Sequence, residues 1–395
     1  MNKRYIIIGN GVAGISAIEE IRKHDSDSEI LLFHGDEKPY YYRASLSEMI
    51  TEKNTASMLA GRTDDFYVQM NITTIPAYIT GIDAGKQLVY THNSQYNYDE
   101  LLIATGAKAR QLDIPGDLHS LVYRNFTDTE TIIAALKNQK RLLIIGGGVL
   151  GLELAAAARE VPGTHIAIVQ RSNQVGRPIL DRPASDWLIQ RMQMDDITLF
   201  LNDSVERIEN HKALLKSGRT WDSNLVVQAI GIVPVYPPVE NIATGNGIQI
   251  NANCQTNLPH IYAAGDCTET YHQTQDTWKP SRIWLQAAQQ GLTAGANMVG
   301  VTKTLPESTF YNASYIYKDH YVIIGEPHGE EGEVHLWKEG DGFRKIRTQD
   351  GKILGAMLLN QRKGHLAIRD AINNNATITA GNLAHPDFEW NFSAG

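Results

Sequence analysis

An α/β chain with two parallel-sheet domains and a small α+β domain behind them is what this 395-residue sequence predicts, from three observations. Two apolar segments, Ile6-Ile7-Ile8 and Leu142-Leu143-Ile144-Ile145, each run into a glycine-rich turn and then a helix-forming stretch. The turns read Gly9-Asn10-Gly11-Val12-Ala13-Gly14 and Gly146-Gly147-Gly148-Val149-Leu150-Gly151. In such a unit the first Gly allows the tight turn and the second lets backbone approach a pyrophosphate. The third lets helix pack on strand, and the helix N-terminus supplies N–H donors. One GxGxxG arises by chance in a chain with 33 glycines, whereas two in the same strand–turn–helix context specify two Rossmann-like dinucleotide-binding folds. The third observation is a change near residue 302, from alternating strands and helices to short strands separated by Gly and charged turns.

Composition narrows the possibilities. A chain of 395 residues suits two or three domains, and 42% hydrophobic with 20% charged residues suits a globular protein with sizeable cores. The net charge of −8 argues against non-specific binding to nucleic acid or anionic membranes. No apolar run approaches the ~20 residues of a membrane span. Lys3-Arg4 before Ile6-Ile7-Ile8 falls short of a signal peptide because the glycine turn interrupts the apolar run, so a cytoplasmic location is expected. The 13 His residues lack the paired spacing of a zinc site, and no metal is expected.

The elements follow in order. In the first fold, strands are expected at 4–8 and 30–33 around a helix at 14–23, then a helix at 46–50. Strands at 72–80 and 87–90 flank a turn at 81–85, and a buried strand ends at Ala104-Thr105-Gly106. The second fold runs from 141 with a helix at 152–160, a strand at 165–169, and further strands at 195–201, 207–208, 213–215 and 225–230. Prolines 234, 237 and 238 mark a crossover back to a strand at 261–264 and a helix at 285–298. Five strands (315–317, 321–324, 334–337, 344–347 and 353–359) and a helix at 365–373 complete the C-terminal domain. The expected domains are 1–110 with 232–301, then 111–231, then 302–395.

Four signals now stand in order: the first glycine turn, Ala104-Thr105-Gly106, the second glycine turn, and Thr256 with Ile261-Tyr262-Ala263-Ala264-Gly265-Asp266. With them the chain resembles FAD-dependent pyridine-nucleotide oxidoreductases of the two-dinucleotide-fold class. Within that class it is most similar to rubredoxin reductases, the flavoprotein portion of assimilatory nitrite reductases, and ferredoxin reductases of oxygenase systems. The resemblance covers about residues 4–300 well and the rest loosely. It implies FAD on the first fold, at Gly9, Gly11, Val12, Ala13, Gly14, Ala104, Thr105, Gly106, Gly265 and Asp266, and a nicotinamide nucleotide on the second. An acid after the second strand, Glu37 or its neighbour Asp36, would accept the adenosine ribose hydroxyls. The resemblance further assigns Arg43, Ala77, Arg124 and Trp284 to FAD. Arg43 could instead belong to an aromatic loop, Tyr40-Tyr41-Tyr42, packed on the core, and Arg124 could be a surface arginine.

On the second fold the nucleotide residues are Gly146, Gly148, Val149, Leu150, Gly151 and Gly231, with Glu153 near the junction of nicotinamide and flavin. No protein acid–base catalyst is expected, because hydride passes through the flavin. After the strand at 165–169 an NADH-selective fold carries Asp or Glu, but here Gln170-Arg171 stands there and Arg177 follows. Either the arginines bind a 2′-phosphate, favouring NADPH over NADH, or Gln170 accepts the 2′-hydroxyl and Arg171 is solvated.

The cysteines sort the subclass. Thiol-dependent relatives carry redox cysteines early in the first fold, where this chain has Ser45 and Ser47; its only cysteines are Cys254 and Cys267. Electrons are therefore expected to leave directly from flavin to a small one-electron redox protein, rubredoxin or ferredoxin. Glu48, where ferredoxin reductases carry Lys, favours rubredoxin. The alternatives are an NAD(P)H oxidase reducing dioxygen and a nucleotide-sensing flavoprotein. An acidic partner would need a local basic patch, either Gln361-Arg362-Lys363-Gly364-His365 with Arg369 or Arg344-Lys345 with Arg347. Monomer and homodimer are both compatible with the sequence.

Overall fold

The computed structural model describes residues 2–35, 38–51, 59–116, 120–138, 140–177, 179–209, 211–272, 276–280, 282–306, 309–329, 331–378, 383–386 and 388. The chain divides into two compact units, one made of Met1–Lys108 with Ile232–Pro306 and the other of Ala109–Gly231 with Glu307–Gly395.

In the first unit Arg4–Ile8 is the middle strand of a five-stranded parallel sheet. The order is Ile261–Ala263, Glu100–Ile103, Arg4–Ile8, Glu29–His34, Ile72–Pro76. Tyr5 to Ile8 are all buried, as a parallel strand covered on both faces requires. The helix Val12–His24 packs on a second helix, Trp284–Met298, at backbone contact. A Cβ on Gly291 would lie 2.2 Å from the Ala13 carbonyl oxygen, and one on Gly295 2.5 Å from that of Ala17. Only glycine allows so close a crossing. The strand expected at 72–80 ends at Pro76, the last residue before the ladder would need an N–H. Gly81–Asp83, expected as a turn, is itself a strand paired antiparallel with Leu88–Tyr90, and the chain reverses at 84–87.

The second unit holds a matching parallel sheet, ordered Thr198–Leu201, His165–Gln170, Arg141–Ile145, Leu225–Gln228, Leu121–Val122, with the helix Val149–Arg159 after its central strand. Two of its helices were not expected from the sequence. Phe126–Leu136 begins with a reciprocal cap: Asp128 N–H donates to Asn125 Oδ1 at 2.7 Å, and Asn125 N–H donates to Asp128 Oδ2 at 3.0 Å. Arg182–Met194 is capped by Asp181. The strand expected from 195 begins at Thr198, because that helix runs to Met194 and Asp196 takes a left-handed φ of 60° at the reversal.

In the same unit an antiparallel sheet runs Tyr311–Ile316, Asp319–Gly325, Lys352–Leu359, Gly342–Gln349, Glu333–Glu339, with the helix His365–Asn373 on one face. Ile368 and Ala371 of that helix join Val322, Ile324, Ile346 and Leu358 in one core. The strand Gly342–Gln349 is interior to the sheet and covered on both faces, with Arg344, Lys345 and Arg347 buried at 0%, 7% and 6% exposure. The reading of those three as an exposed docking patch is overturned. Their charges are turned inward: Arg344 donates to the Lys363 carbonyl, Lys345 to Asp181, and Arg347 to the carbonyls of Glu326 and Glu331. Arg362 and Lys363, in the other expected patch, are exposed. No described helix is long and apolar enough to cross a membrane.

Candidate functional site

The two glycine turns have nearly the same geometry, because the same steric demands recur. Gly9 has φ +119° and Gly146 φ +110°. A Cβ on Gly9 would lie 2.2 Å from the Ala104 carbonyl oxygen, and one on Gly146 2.4 Å from that of Ala229. A Cβ on Gly14 would lie 2.1 Å from the Gly9 oxygen and one on Gly151 2.1 Å from the Gly146 oxygen. The middle glycines differ from these. A Cβ on Gly11 or Gly148 would meet nothing within 4 Å, so these positions face open space. Both act as N-caps without a side-chain cap, and neither helix has an acid in its first turn. The N–H groups of those first turns have no intrahelical partner, and the dipole adds positive charge there. The residues fit a pyrophosphate at each turn.

Around the first turn, Ala104 ends the strand Glu100–Ile103, and Thr105 donates through Oγ1 to the Val235 carbonyl. Gly106 has φ +69° with open space at its Cβ position. Gly265, φ +87°, donates its N–H to Gln290 Oε1 at 2.7 Å, and Asp266 follows it, partly exposed. A hairpin, Thr268–His272 with Thr277–Pro280, lies between Asp266 and the helix expected at 285–298. The helix begins at Trp284, whose ring lies 6.1 Å from that of Tyr42, itself 5.7 Å from Tyr40. Arg43 sits in a single helical turn with its guanidinium 5.0 Å from the Tyr41 ring centre, so the aromatic loop and the cation form one surface. Ala77 lies just past the strand Ile72–Pro76. Asp36 and Glu37 lie outside the described residues. Cys267 is fully buried and its thiol is pushed up to about 11, while burial also raises Cys254.

Around the second turn, Gln170 is already engaged. Gly147 N–H donates to its Oε1 at 2.9 Å, and its Nε2 donates to Ser172 Oγ at 2.9 Å. Both ends of that amide serve the loop itself, and Oε1 keeps a second lone pair. Arg171 and Arg177 are exposed and make no hydrogen bond or ion pair among the described residues. Val149 and Leu150 open the helix, and Gly231 (φ +101°) follows the strand Leu225–Gln228. Arg124 belongs to this unit, its N–H donating to Asp128 at 2.9 Å at the start of the capped helix.

Glu153 is the fifth residue of its helix, past the reach of the first-turn N–H groups. It makes no hydrogen bond or ion pair among the described residues, and burial pushes its carboxyl up to about 8. The buried Tyr321 feels its charge; burial first, then Glu153, raises that phenol to about 12. A carboxyl near neutrality beside the nucleotide turn can hold or release a proton in the working pH range.

The model of a family described as pyridine nucleotide-disulphide oxidoreductase matches residues 3–291. The ferredoxin–NAD(+) reductase component of the 3-phenylpropionate/cinnamic acid dioxygenase of Photorhabdus laumondii is 28% identical over 400 residues, covering 96% of this chain and 98% of that one. Among solved structures, a ferredoxin reductase from Rhodopseudomonas palustris superposes with a TM-score of 0.89 at 22% identity, covering 98% and 99%. An engineered water-forming NADPH oxidase bound to NADPH, built on a Lactobacillus brevis enzyme, gives a TM-score of 0.85 at 18% identity, covering 95% and 91%.

Proposed function

The chain belongs to the pyridine nucleotide-disulphide oxidoreductase family, and from that premise we propose that it carries electrons from NADPH through FAD to a small one-electron redox protein. It is an FAD-dependent NAD(P)H oxidoreductase. The observation that carries the reading is the pair of matching turns, each with an open middle glycine under a parallel sheet. The first turn, Arg43, Gly265 and Asp266 would hold FAD, with Ala77 and Trp284 lining it. Bound FAD supplies the chemistry, accepting hydride and releasing electrons one at a time.

The chain's own residues bind and orient. Free N–H groups after Gly11 and Gly148 face the two pyrophosphates. Ser45 and Ser47 stand where thiol-dependent relatives carry cysteines, and Cys254 and Cys267 are both buried and unbonded to each other, so no disulfide route is open. An electron-transfer partner such as the ferredoxin of the Photorhabdus relative would accept from the flavin directly. The exposed cations Arg362 and Lys363 would meet an acidic one.

Preference for NADPH rests on Arg171 and Arg177, unpaired beside a loop without an acid. The engineered NADPH oxidase supports it. Four of its five substitutions replace an Asp with Ala and introduce Arg, Ser and Arg one, two and seven residues further on; the parent structure is bound to NADH. Gln170, Arg171, Ser172 and Arg177 stand at the same spacing here. Arg171→Ala should weaken NADPH binding by ~1.5–3 kcal/mol, the value of a hydrogen bond to a charged group, and leave NADH unchanged. Steady-state kinetics with each nucleotide test this. Wild-type efficiency equal or higher with NADH would reject it.

A further inference from the structure

The loop that carries Arg171, Ser172 and Arg177 is held at both ends within its unit. At one end Gly176, φ +74°, donates its N–H to the Gly147 carbonyl at 2.7 Å, tying the loop to the glycine turn. Val175 N–H donates to Ser185 Oγ at 2.9 Å, and Ile179 and Leu180 N–H groups donate back to the Gly176 carbonyl at 2.9 and 3.0 Å. At the other end stands Asp181, whose two oxygens do different things. Oδ1 accepts from Ala184 N–H at 3.1 Å and caps the helix Arg182–Met194. Oδ2 accepts from Lys345 Nζ at 2.6 Å, and the two side chains are only 13% and 9% exposed.

Lys345 comes from the C-terminal sheet. Two further groups of that region press on the same loop. Ile316 Cδ1 lies 3.1 Å from the Cβ position of Gly176, and His328 interacts with the Ile179 backbone and with both Asp181 and Lys345. Arg177 thus projects from a backbone pinned on either side of it. The backbone under this charged donor therefore has little freedom to lose when the arginine meets a phosphate, and only the side chain remains to be ordered.

We propose that Lys345 is a positioning residue for nucleotide choice: through Asp181 it fixes the loop so that Arg171 and Arg177 present a preformed site for the 2′-phosphate of NADPH. This rests on the reading of those arginines above. The buried pair is the joint, because neither charge can be removed alone without leaving the other uncompensated.

The test is steady-state kinetics with NADPH and NADH on the flavin-loaded full chain. The variants are Lys345→Met, Asp181→Asn, their double variant, and Arg171→Ala. Asp181→Asn retains an oxygen for the helix cap and removes the ion pair, and the double variant leaves no unpaired buried charge, so a misfolded Lys345→Met does not decide the matter. Each latch variant should raise the KM for NADPH about tenfold, below the roughly hundredfold that a full 1 Å misplacement can cost. The KM for NADH, the kcat with either nucleotide and the flavin content should stay as in wild type, and the double variant should be no worse than either single. Equal effects on both nucleotides, flavin loss in every variant, or no effect at all would overturn the proposal. If Arg171→Ala raises the NADPH KM while the latch variants do not, this inference fails and the phosphate reading stands. If Arg171→Ala is silent, the phosphate reading fails by itself.

Discussion

Glu153→Gln should stabilise the protein at neutral pH, by an amount that depends on pH in a defined way. Glu153 is ordinarily a carboxyl of about 4.5, and burial without a partner pushes it up to about 8. Between those values the unfolded chain has released the proton and the folded chain retains it. The folded state then binds more protons, so stability falls as pH rises through the window. Each unit is worth about 1.4 kcal/mol, so from pH 4.5 to 7 the loss reaches about 2–3 kcal/mol after allowance for the water that Glu153 still meets. Glutamine has nearly the same shape and no charge to bury. Thermal unfolding of the flavin-loaded protein from pH 4.5 to 8.5 reads this directly. Wild type and Glu153→Gln should melt together at the acid end, separate by several degrees toward pH 8, and run parallel above it. Parallel curves across the whole range, or a Glu153→Gln curve that lies below wild type throughout, would refute the argument.

Gly14→Ala and Gly151→Ala each place a Cβ 2.1 Å from a backbone oxygen that cannot yield, so each should cost about 3 kcal/mol or more locally. The consequences should separate: the first should lower flavin absorbance per protein, and the second should keep the flavin but lose NADPH binding. Reversing Arg362 and Lys363 to Glu should slow reduction of an acidic redox protein and flatten its salt dependence, while flavin reduction by NADPH stays unchanged, as mixing experiments at rising salt would show.

Much of this architecture was legible because glycine spacing and apolar runs are local signals. Gly9, Gly14, Gly146 and Gly151 are needed by backbone sterics that any such turn imposes, Gly11 and Gly148 leave open space at the helix N-terminus, and the spacing of all six could be read without coordinates. The helix Phe126–Leu136 was missed although its Asn125…Asp128 cap was in plain view, because its apolar positions are few and interrupted by threonines. Arg344, Lys345 and Arg347 misled for a different reason. Charge reads as surface in a sequence, but this interior strand is covered on both faces, and its cations donate to carbonyls and to Asp181, with Arg344 Nε and Nη2 left without a partner among the described residues. The engagement of Gln170 with Gly147 was likewise invisible, since it joins residues 23 apart through a fold-dependent contact. Glu153 could be named from its position after Gly151, but its isolation and the cost of its charge are properties of packing.

The central claim is that electrons pass from NADPH through FAD to a small one-electron protein. Anaerobic stopped-flow spectroscopy tests it most directly, mixing the flavin-loaded protein first with NADPH or NADH and then with oxidised rubredoxin, oxidised ferredoxin or dioxygen. Flavin absorbance should bleach faster with NADPH than with NADH. It should return on addition of the redox protein, with two acceptors reduced per flavin, faster than with dioxygen. Rapid return with dioxygen, and reduction of rubredoxin and ferredoxin no faster than of free dyes, would contradict the account and identify an oxidase instead.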